Sequence, residues 1–404
     1  MIETNFKHTR IGTYPANWKI EELREHLVLL TDYDANGSFA DMANNVTTYL
    51  SPNYAWYVRA TDLEQNSPLS EVHYTDEASY KFLRKSSLFG GEVLLAKRGD
   101  IGKVYLFKAK TAKATLGPNL YLLKLQDSLL SSYLYCYFKS PAGQRNLKAI
   151  NASTSLGAIY KDDVKALLIP IPPTLAEQER IAGALSSIDT LIGALNEQIE
   201  KKRHIKQGTM QQLLTGKKRL AGFTGEWVTE IIKDICDRYD HLRIPVAANF
   251  RIKGLTPYYG ANGIQDYVDG YTHDGEFILL AEDGANNLVD YPIRYVSGKI
   301  WVNNHAHVLS AKEKKADTRF LAYVLKTIDF ESNIVGSGRA KLNAETLMQL
   351  EVSIPPTIAE QSAIAAVLSG MDTEIAALEQ KRDKYIVIKS GMMQDLLTGK
   401  IRLV

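Results

Sequence analysis

Residues 169–220 read IPIPPTLAEQERIAGALSSIDTLIGALNEQIEKKRHIKQGTMQQLLTGKKRL, and residues 352–403 read VSIPPTIAEQSAIAAVLSGMDTEIAALEQKRDKYIVIKSGMMQDLLTGKIRL. The two segments align without a gap at a constant offset of 183 residues. Pro172 and Pro173 fall on Pro355 and Pro356, Glu177 and Gln178 on Glu360 and Gln361, and Asp189 on Asp372. Gly208 falls on Gly391, and Leu214-Thr215-Gly216-Lys217 on Leu397-Thr398-Gly399-Lys400. A repeat of this length decides the architecture before any single motif is weighed.

Each copy reads as one long helix. Thr174-Leu-Ala-Glu177 and Thr357-Ile-Ala-Glu360 have the spacing of a capping box, in which the Thr hydroxyl accepts from the Glu amide and the Glu side chain reaches back. The prolines just before them forbid an earlier start. Gly216 and Gly399 supply the stop, with basic residues nearby as the helix dipole prefers. The span predicts helices of about 41 residues, roughly 60 Å long.

A 4,3 spacing marks a seam on both helices. In the first it picks out Ile181, Leu185, Ile188, Ile192, Leu195 and Ile199, then Lys202, Lys206, Thr209 and Leu213. In the second it picks out Ile364, Leu368, Met371, Ile375 and Leu378, then Arg382, Tyr385, Lys389, Met392 and Leu396. Fifteen of the twenty positions are apolar, enough to hold the helices together at about 1.5 kcal/mol or more per buried side chain. In the C-terminal halves the stripe thins.

Geometry sets the direction. The 140 residues between the helices, 217–356, begin where the first ends and finish where the second starts. A compact domain of that size has a radius of gyration near ~14 Å. Parallel helices would make it bridge about 60 Å. Antiparallel helices bring its two ends together, so an antiparallel coiled coil with a globular domain at each end is expected.

The globular segments echo one another. Each opens on a Trp and a short amphipathic stretch, Trp18-Lys-Ile-Glu-Glu-Leu and Trp227-Val-Thr-Glu-Ile-Ile. Each carries a central strand, GEVLLAKRG at 91–99 and GEFILLAEDG at 275–284, and a later helical stretch, Tyr133–Leu147 and Thr318–Ser332. Short β-rich runs with Gly/Asn turns and a few helices give an α+β class. The expected segments are 1–173, a first α/β-type domain; 174–216, a first long helix; 217–356, a second domain; and 357–404, a second long helix, related by a pseudo-two-fold repeat.

The remaining composition mostly excludes. A chain of 404 residues suggests two or three domains, and its 45% hydrophobic content rules out wholesale disorder. A net charge of +2 leaves nucleic-acid binding to local basic patches. Cys136 and Cys236 are too few and too far apart for a disulfide framework or zinc site, and read as small core residues. The polar start MIETNFKHTR lacks the apolar core of a signal peptide, and no apolar run approaches a membrane span, so a cytoplasmic protein is expected.

The duplicated IPP-x-x-x-EQ start, long helix and L-L-T-G-K ending, each after a variable domain, resemble the specificity subunit of type I restriction–modification systems. The resemblance covers essentially the whole chain. The second domain adds Pro257-Tyr258-Tyr259-Gly260-Ala261-Asn262-Gly263-Ile264, Ala281-Glu282-Asp283-Gly284, and Gly298-Lys299-Ile300-Trp301-Val302-Asn303-Asn304-His305-Ala306-His307. All three are similar to motifs of target-recognition domains in this family; the first domain lacks the PYYGANG pattern. The resemblance implies two target-recognition domains, each reading half of a bipartite, asymmetric site in double-stranded DNA. It implies docking of two methyltransferase subunits and of motor–nuclease restriction subunits. S-adenosylmethionine, ATP and Mg would then belong to those partners, with no cofactor, metal or catalytic residue in this chain. A specificity subunit of a related methyltransferase or nuclease system, a self-contained DNA enzyme with unrecognised motifs, and a coiled-coil scaffold are the alternatives.

Enzyme signatures are missing from the sequence. The only Pro-Pro pairs are the helix-start turns, so no amino-methyltransferase motif of the Asn/Asp-Pro-Pro-Tyr/Phe type occurs, and no G-x-x-x-x-G-K-[ST] loop exists. Gly99-Asp-Ile-Gly102-Lys103 reads as a strand-end turn with a phosphate-facing lysine. Gly336-Ser-Gly338-Arg339-Ala-Lys341 reads as a loop that faces DNA or links to the helix. His305 and His307 lie two apart without a visible third metal ligand and read as plain strand or loop residues. Asp162/Asp163 and Glu282/Asp283 read as solvated turns or cytosine acceptors. Gly208 and Gly391 mark either a close helix approach or harmless surface. The expected DNA contacts are Arg59, Lys97, Arg98 and Lys103 in the first domain, and Tyr259, Asn262, Asn286, Asn303 and Asn304 in the second. Asn pairs bidentately with adenine, Arg with guanine, and Lys neutralises phosphate.

If the helices act as a ruler, four residues inserted after Gln207 add about one turn and roughly 6 Å. Methylome mapping of that variant, assembled with its methyltransferase subunits, should show both half-sites kept and the unread spacer longer by about one or two base pairs. An unchanged spacer with full activity would exclude the ruler.

Overall fold

A computed structural model describes residues 5–151, 157–330 and 341–404. The chain divides into two compact units, residues 1–194 with 381–404, and residues 195–380. The long helices, Leu175–Leu213 and Ile358–Leu396, are 39 residues each and run from one unit into the other. Each unit therefore consists of one globular head and one half of each helix. Among the described residues no helix is long and apolar enough to cross a membrane.

In the first unit a four-stranded antiparallel sheet runs in the order Val104–Leu106, Val93–Ala96, Leu120–Leu125, Leu27–Asp32. A five-stranded sheet centred on Ala55–Val58 and Ala114–Leu116 packs against it through Trp56, Leu94, Phe107 and Leu122. On its other face, Val93, Leu95, Tyr121 and Leu123 join Tyr133, Phe138, Trp18, Ile181, Leu185, Leu396 and Leu397 in one core. The start of the first helix and the end of the second thus lie in the same core.

The second unit repeats the plan. Its six-stranded sheet runs Cys236–Arg238, Ala306–Ala311, His273–Ala281, Ile293–Val302, Lys253–Gly260, Gly263–Val268. Ile278, Leu280, Ile293 and Leu309 pack beneath the helix Thr318–Leu325, in a core shared with Leu213, Leu214, Ile364 and Leu368. Here the end of the first helix meets the start of the second. In each unit the helices are antiparallel, as the length of the intervening segment requires. A matching two-stranded ribbon ties each head to its own helix, Lys19–Glu22 with Leu168–Ile171 and Val228–Ile231 with Glu351–Ile354.

The seam follows the 4,3 register. Ile181, Leu185, Ile188, Leu195, Ile199, Ile364, Leu368 and Ile375 are buried, and Ile192, Met371 and Leu378 are half-buried. Where the apolar stripe thins, ion pairs replace it. Lys206 pairs with Asp372, and Lys389 with Asp189 at 2.5 Å, which the 183-residue offset makes the same contact twice. Lys202 reaches Glu374 at 2.7 Å. A lysine stem covers the seam while its ammonium reaches an acid on the facing helix. Gly208 and Gly391 face open space, since a Cβ on either would meet no atom within 4 Å. This removes the close-approach reading within the described chain.

The capping boxes form only in half. Thr174 and Thr357 accept from the Glu177 and Glu360 amides at 3.2 and 3.4 Å. The glutamate side chains do not turn back, because arginines claim them. Arg402 holds Glu177 through two bonds of 2.5 and 2.8 Å, and Arg219 holds Glu360 through two of 2.5 Å. Both glutamates are almost completely buried. Burial without a counter-charge would be far costlier than a missing cap bond, so the bidentate pair wins. The adjacent glutamines hold the heads. Gln178 accepts from the amide of Leu130 and Gln361 from that of Asp317, the residues that begin the helices Ser131–Lys139 and Thr318–Leu325.

Gly216 and Gly399 end the helices in the left-handed region, at φ of 69° and 68°. Their Cα hydrogens face Trp227 and Trp18, where a Cβ would come within 3.2 Å of each ring. Cys236 is buried and its thiol is pushed up to about 12 by that burial, whereas Cys136 is only half-buried.

Substituting Arg402 by Ala strands the Glu177 carboxylate in the core and should cost about 3–5 kcal/mol. Urea unfolding measures it, and the double variant Arg402→Met/Glu177→Gln should recover part of the loss. Equal destabilisation by both variants would show that the pair's charge is not the issue.

Candidate nucleic-acid interface

In the second head the PYYGANG motif forms a hairpin, with Gly260 paired to Gly263 across an Ala261-Asn262 turn. Each glycine makes room for a polar side chain. A Cβ at Gly260 would stand 2.2 Å from the Gln265 amide, and one at Gly263, whose φ is +125°, 3.1 Å from the Arg294 guanidinium. Asn262 at the tip donates to the Gly284 carbonyl at 2.9 Å and accepts from the Asn286 amide at 3.0 Å. It pins the loop after the central strand. Tyr259, Asn262 and Asn286 then line one cleft of about 680 Å³, together with Arg294, Tyr295 and Arg319. Three of the five residues expected here are thus brought together. Asn304 is exposed in the turn between the strands Ile293–Val302 and Ala306–Ala311. Asn303 is buried, accepts from the His305 amide and leans toward Gln265.

Below the loop lies an ionic cluster. Asp240, Glu282 and His307 bring ligand atoms within 4.8 Å of one another, the arrangement of a three-residue metal site. Cations already occupy it. Arg243 donates to Glu282 at 2.7 Å and Lys341 at 3.0 Å, while His307 bridges Asp240 at 2.7 Å and the Leu342 carbonyl at 2.9 Å. Burial would raise the Glu282 carboxyl, but the bonds from Arg243 and Lys341 outweigh it and the net is lowered. Asp240 follows the same balance, with His307 as the opposing partner. The missing companions of His307 were therefore an acid 67 residues earlier and one 25 earlier in the chain, which no local spacing could reveal. Asp283 pairs with His305 at 2.6 Å.

The corresponding place in the first head carries inverted charge. Lys97, which follows Leu94-Leu95-Ala96 as Glu282 follows Leu279-Leu280-Ala281, is buried and bonded to Asp32 at 2.9 Å and Asp34 at 2.6 Å. Lys161 completes the cluster at 2.7 Å from Asp32. Lys97 is thus occupied within the fold rather than held out for a phosphate. Arg59 likewise grips the buried Asp62 through its guanidinium, and Lys103 pairs with Asp100 and Glu64. Arg98 is different. It is exposed and lines a cleft of about 580 Å³ with Tyr33, Phe39, Met42, Tyr57 and Asn119. Phe39, 92% exposed on a helix capped by Ser38, forms the apolar lip. Of the loop 336–341, only Lys341 falls among the described residues.

Sequence reading missed Arg294, Gln265 and Arg319. The only available signal was the pair of glycines in the GANG turn, whose need for space becomes intelligible once their neighbours are known.

The family described as the type I restriction modification DNA specificity domain matches residues 41–202 and 224–386, so the chain belongs to that family. It is 26% identical over 442 aligned positions to a type I restriction enzyme specificity subunit of Methanocaldococcus jannaschii, covering 99% of this chain and 97% of that one. A specificity subunit of Haemophilus influenzae is 42% identical over 154 residues, 38% of this chain and 39% of the relative's length. The crystal structure of the S subunit from M. genitalium has the same fold, with a TM-score of 0.68 at 17% identity over 94% of this chain and 96% of that one.

Asp32 gives the first head a pH dependence. Burial would raise its carboxyl, but bonds from Lys161 and Lys97 lower it overall. A carboxyl lowered by folding contributes stability above its unfolded value, near ~3.9, and loses it as pH falls through the folded value. Asp32→Asn should therefore be less stable than wild type at pH 7, and the gap should shrink as the pH falls below the usual carboxylate range. A gap in unfolding free energy that stays constant with pH would contradict this.

Proposed function

We propose that this chain reads a bipartite, asymmetric DNA target, one half-site per head, and catalyses nothing by itself. In this reading the long helices set the unread spacer. Two methyltransferase subunits and the motor–nuclease restriction subunits dock on it, bringing S-adenosylmethionine, ATP and Mg. The observation that carries it is the duplication of a complete unit whose frame is held constant while its reading surface is not. The Arg–Glu clamp, the glutamine cap and the Gly–Trp contact recur at matching positions in both copies. The clefts differ. One has an apolar lip beside Arg98, and the other has amides, tyrosines and arginines. Two different surfaces on one frame suit two different half-sites, as half-site recognition follows protein symmetry.

Within that reading Arg98, Asn286 and Asn304 are the direct contacts, whereas Tyr259, buried in the core beneath the cleft, backs it. Asn262, Asn303, Lys97, Arg59 and Lys103 support the loops from which those contacts project. Base edges are read by few side chains, and these need rigid backing.

The test is exchange of residues 1–165 for the first head of another family member, followed by modification mapping with the methyltransferase subunits present. One half-site should change and the other remain. Simultaneous change in both would defeat the two-head reading, and methylation by the purified chain alone would defeat the non-catalytic one.

A further inference from the structure

The cleft of the second head holds several cations, and their surroundings separate them. Arg319 is occupied: its guanidinium lies over the Tyr295 ring at 4.5 Å and donates to that phenol at 3.1 Å. Lys326 sits at the end of the helix Thr318–Leu325, where burial of its ammonium and the nearby Lys206 charge hold it below its usual value. Arg294 is exposed, and among the described residues it has no hydrogen-bonded or ion-paired partner. Its backbone is nonetheless fixed in place. Its strand is central in the six-stranded sheet, with Arg294 in register opposite Leu279. The guanidinium lies against the bare backbone of Gly263, whose Cβ would stand 3.1–3.2 Å from Nε and Nη2. Asn262 locks the hairpin carrying Gly263 to the loop carrying Asn286.

A planar, always-charged fork on a rigid strand, backed by a peptide and left without an acceptor, is built for a bidentate partner. On a DNA base edge that partner is guanine, through O6 and N7. A phosphate contact needs charge but not this backing, and flexible lysines meet it equally well. We propose that Arg294 is a specificity-determining residue of the second head, reading a guanine in its half-site; the proposal rests on the DNA-specificity reading above.

The experiment uses the full chain assembled with its methyltransferase subunits. Modification mapping of the wild type first defines both half-sites. Competition binding with single-base substitutions in the second half-site then compares wild type with Arg294→Ala and Arg294→Lys. Both variants should lose about tenfold to a hundredfold of discrimination at one G·C pair, while the first half-site is read as before, which shows that the complex is folded. Three results would overturn the assignment: a second half-site without guanine, unchanged discrimination in Arg294→Ala, or a uniform loss across sequences that Arg294→Lys restores. The last would identify a phosphate contact, and Arg294→Ala would then lower the salt slope by about one. Should the wild-type complex modify no two-part site, the underlying reading fails and this proposal with it. A two-part site read normally by Arg294→Ala sinks the proposal alone.

Discussion

Two buried arginine–carboxylate pairs organise this chain. Arg219 reaches Glu360 in one unit and Arg402 reaches Glu177 in the other, each arginine lying just beyond the end of one long helix and each glutamate in the first turn of the opposite one. Such a pair is costly to bury and costlier to break, so it acts as a register mark more than as glue. It requires that the end of each helix stand beside the start of the other. With that fixed, the seam, the lysine–aspartate pairs and the docking of both heads follow. The glutamine beside each glutamate then caps a head helix, so the same first turn anchors helix to helix and helix to head.

That frame leaves the heads free to differ. The position after the central Leu-Leu-Ala strand shows how far divergence can go, with a buried lysine between aspartates in one copy and a half-buried glutamate between cations in the other. Both arrangements neutralise a charge that has left water, and either supports the adjoining loop. The sign is arbitrary; the balance is not. A chain that keeps its frame and rewrites its loops can change what it reads without risking its fold, which is the property a DNA-specificity subunit needs.

The clefts show a division between residues that read and residues that hold. Several polar side chains that look like readers on loops are committed inward, among them Lys97, Arg59 and Asn303. Lys97 and Asn303 are buried and must satisfy their bonds inside the protein, and Arg59, only partly covered, is committed by its grip on the buried Asp62, so these serve as support. Exposure alone does not make a reader either. Arg294 stands apart because it is exposed and seated on a paired strand, with its guanidinium against the backbone of Gly263.

The sequence by itself determined the duplication, both helices, their antiparallel sense, the α+β heads and the family. Periodicity, capping residues and repeat offset are local or additive signals, and the direction followed from chain length alone. It also marked the glycines at the helix ends, because a left-handed stop is a local requirement. Only the tertiary structure decided where Glu177 and Glu360 point, why the seam thins into lysine, and which of the polar loop residues stay free. The first two depend on partners more than a hundred residues away, as Arg402 is from Glu177, Lys206 from Asp372 and Arg219 from Glu360, and the third on which neighbours the folded loops bring within reach, as Asp32 is of Lys97. The fate of a charged side chain is settled by what the fold places beside it once water is gone, and no local pattern carries that information.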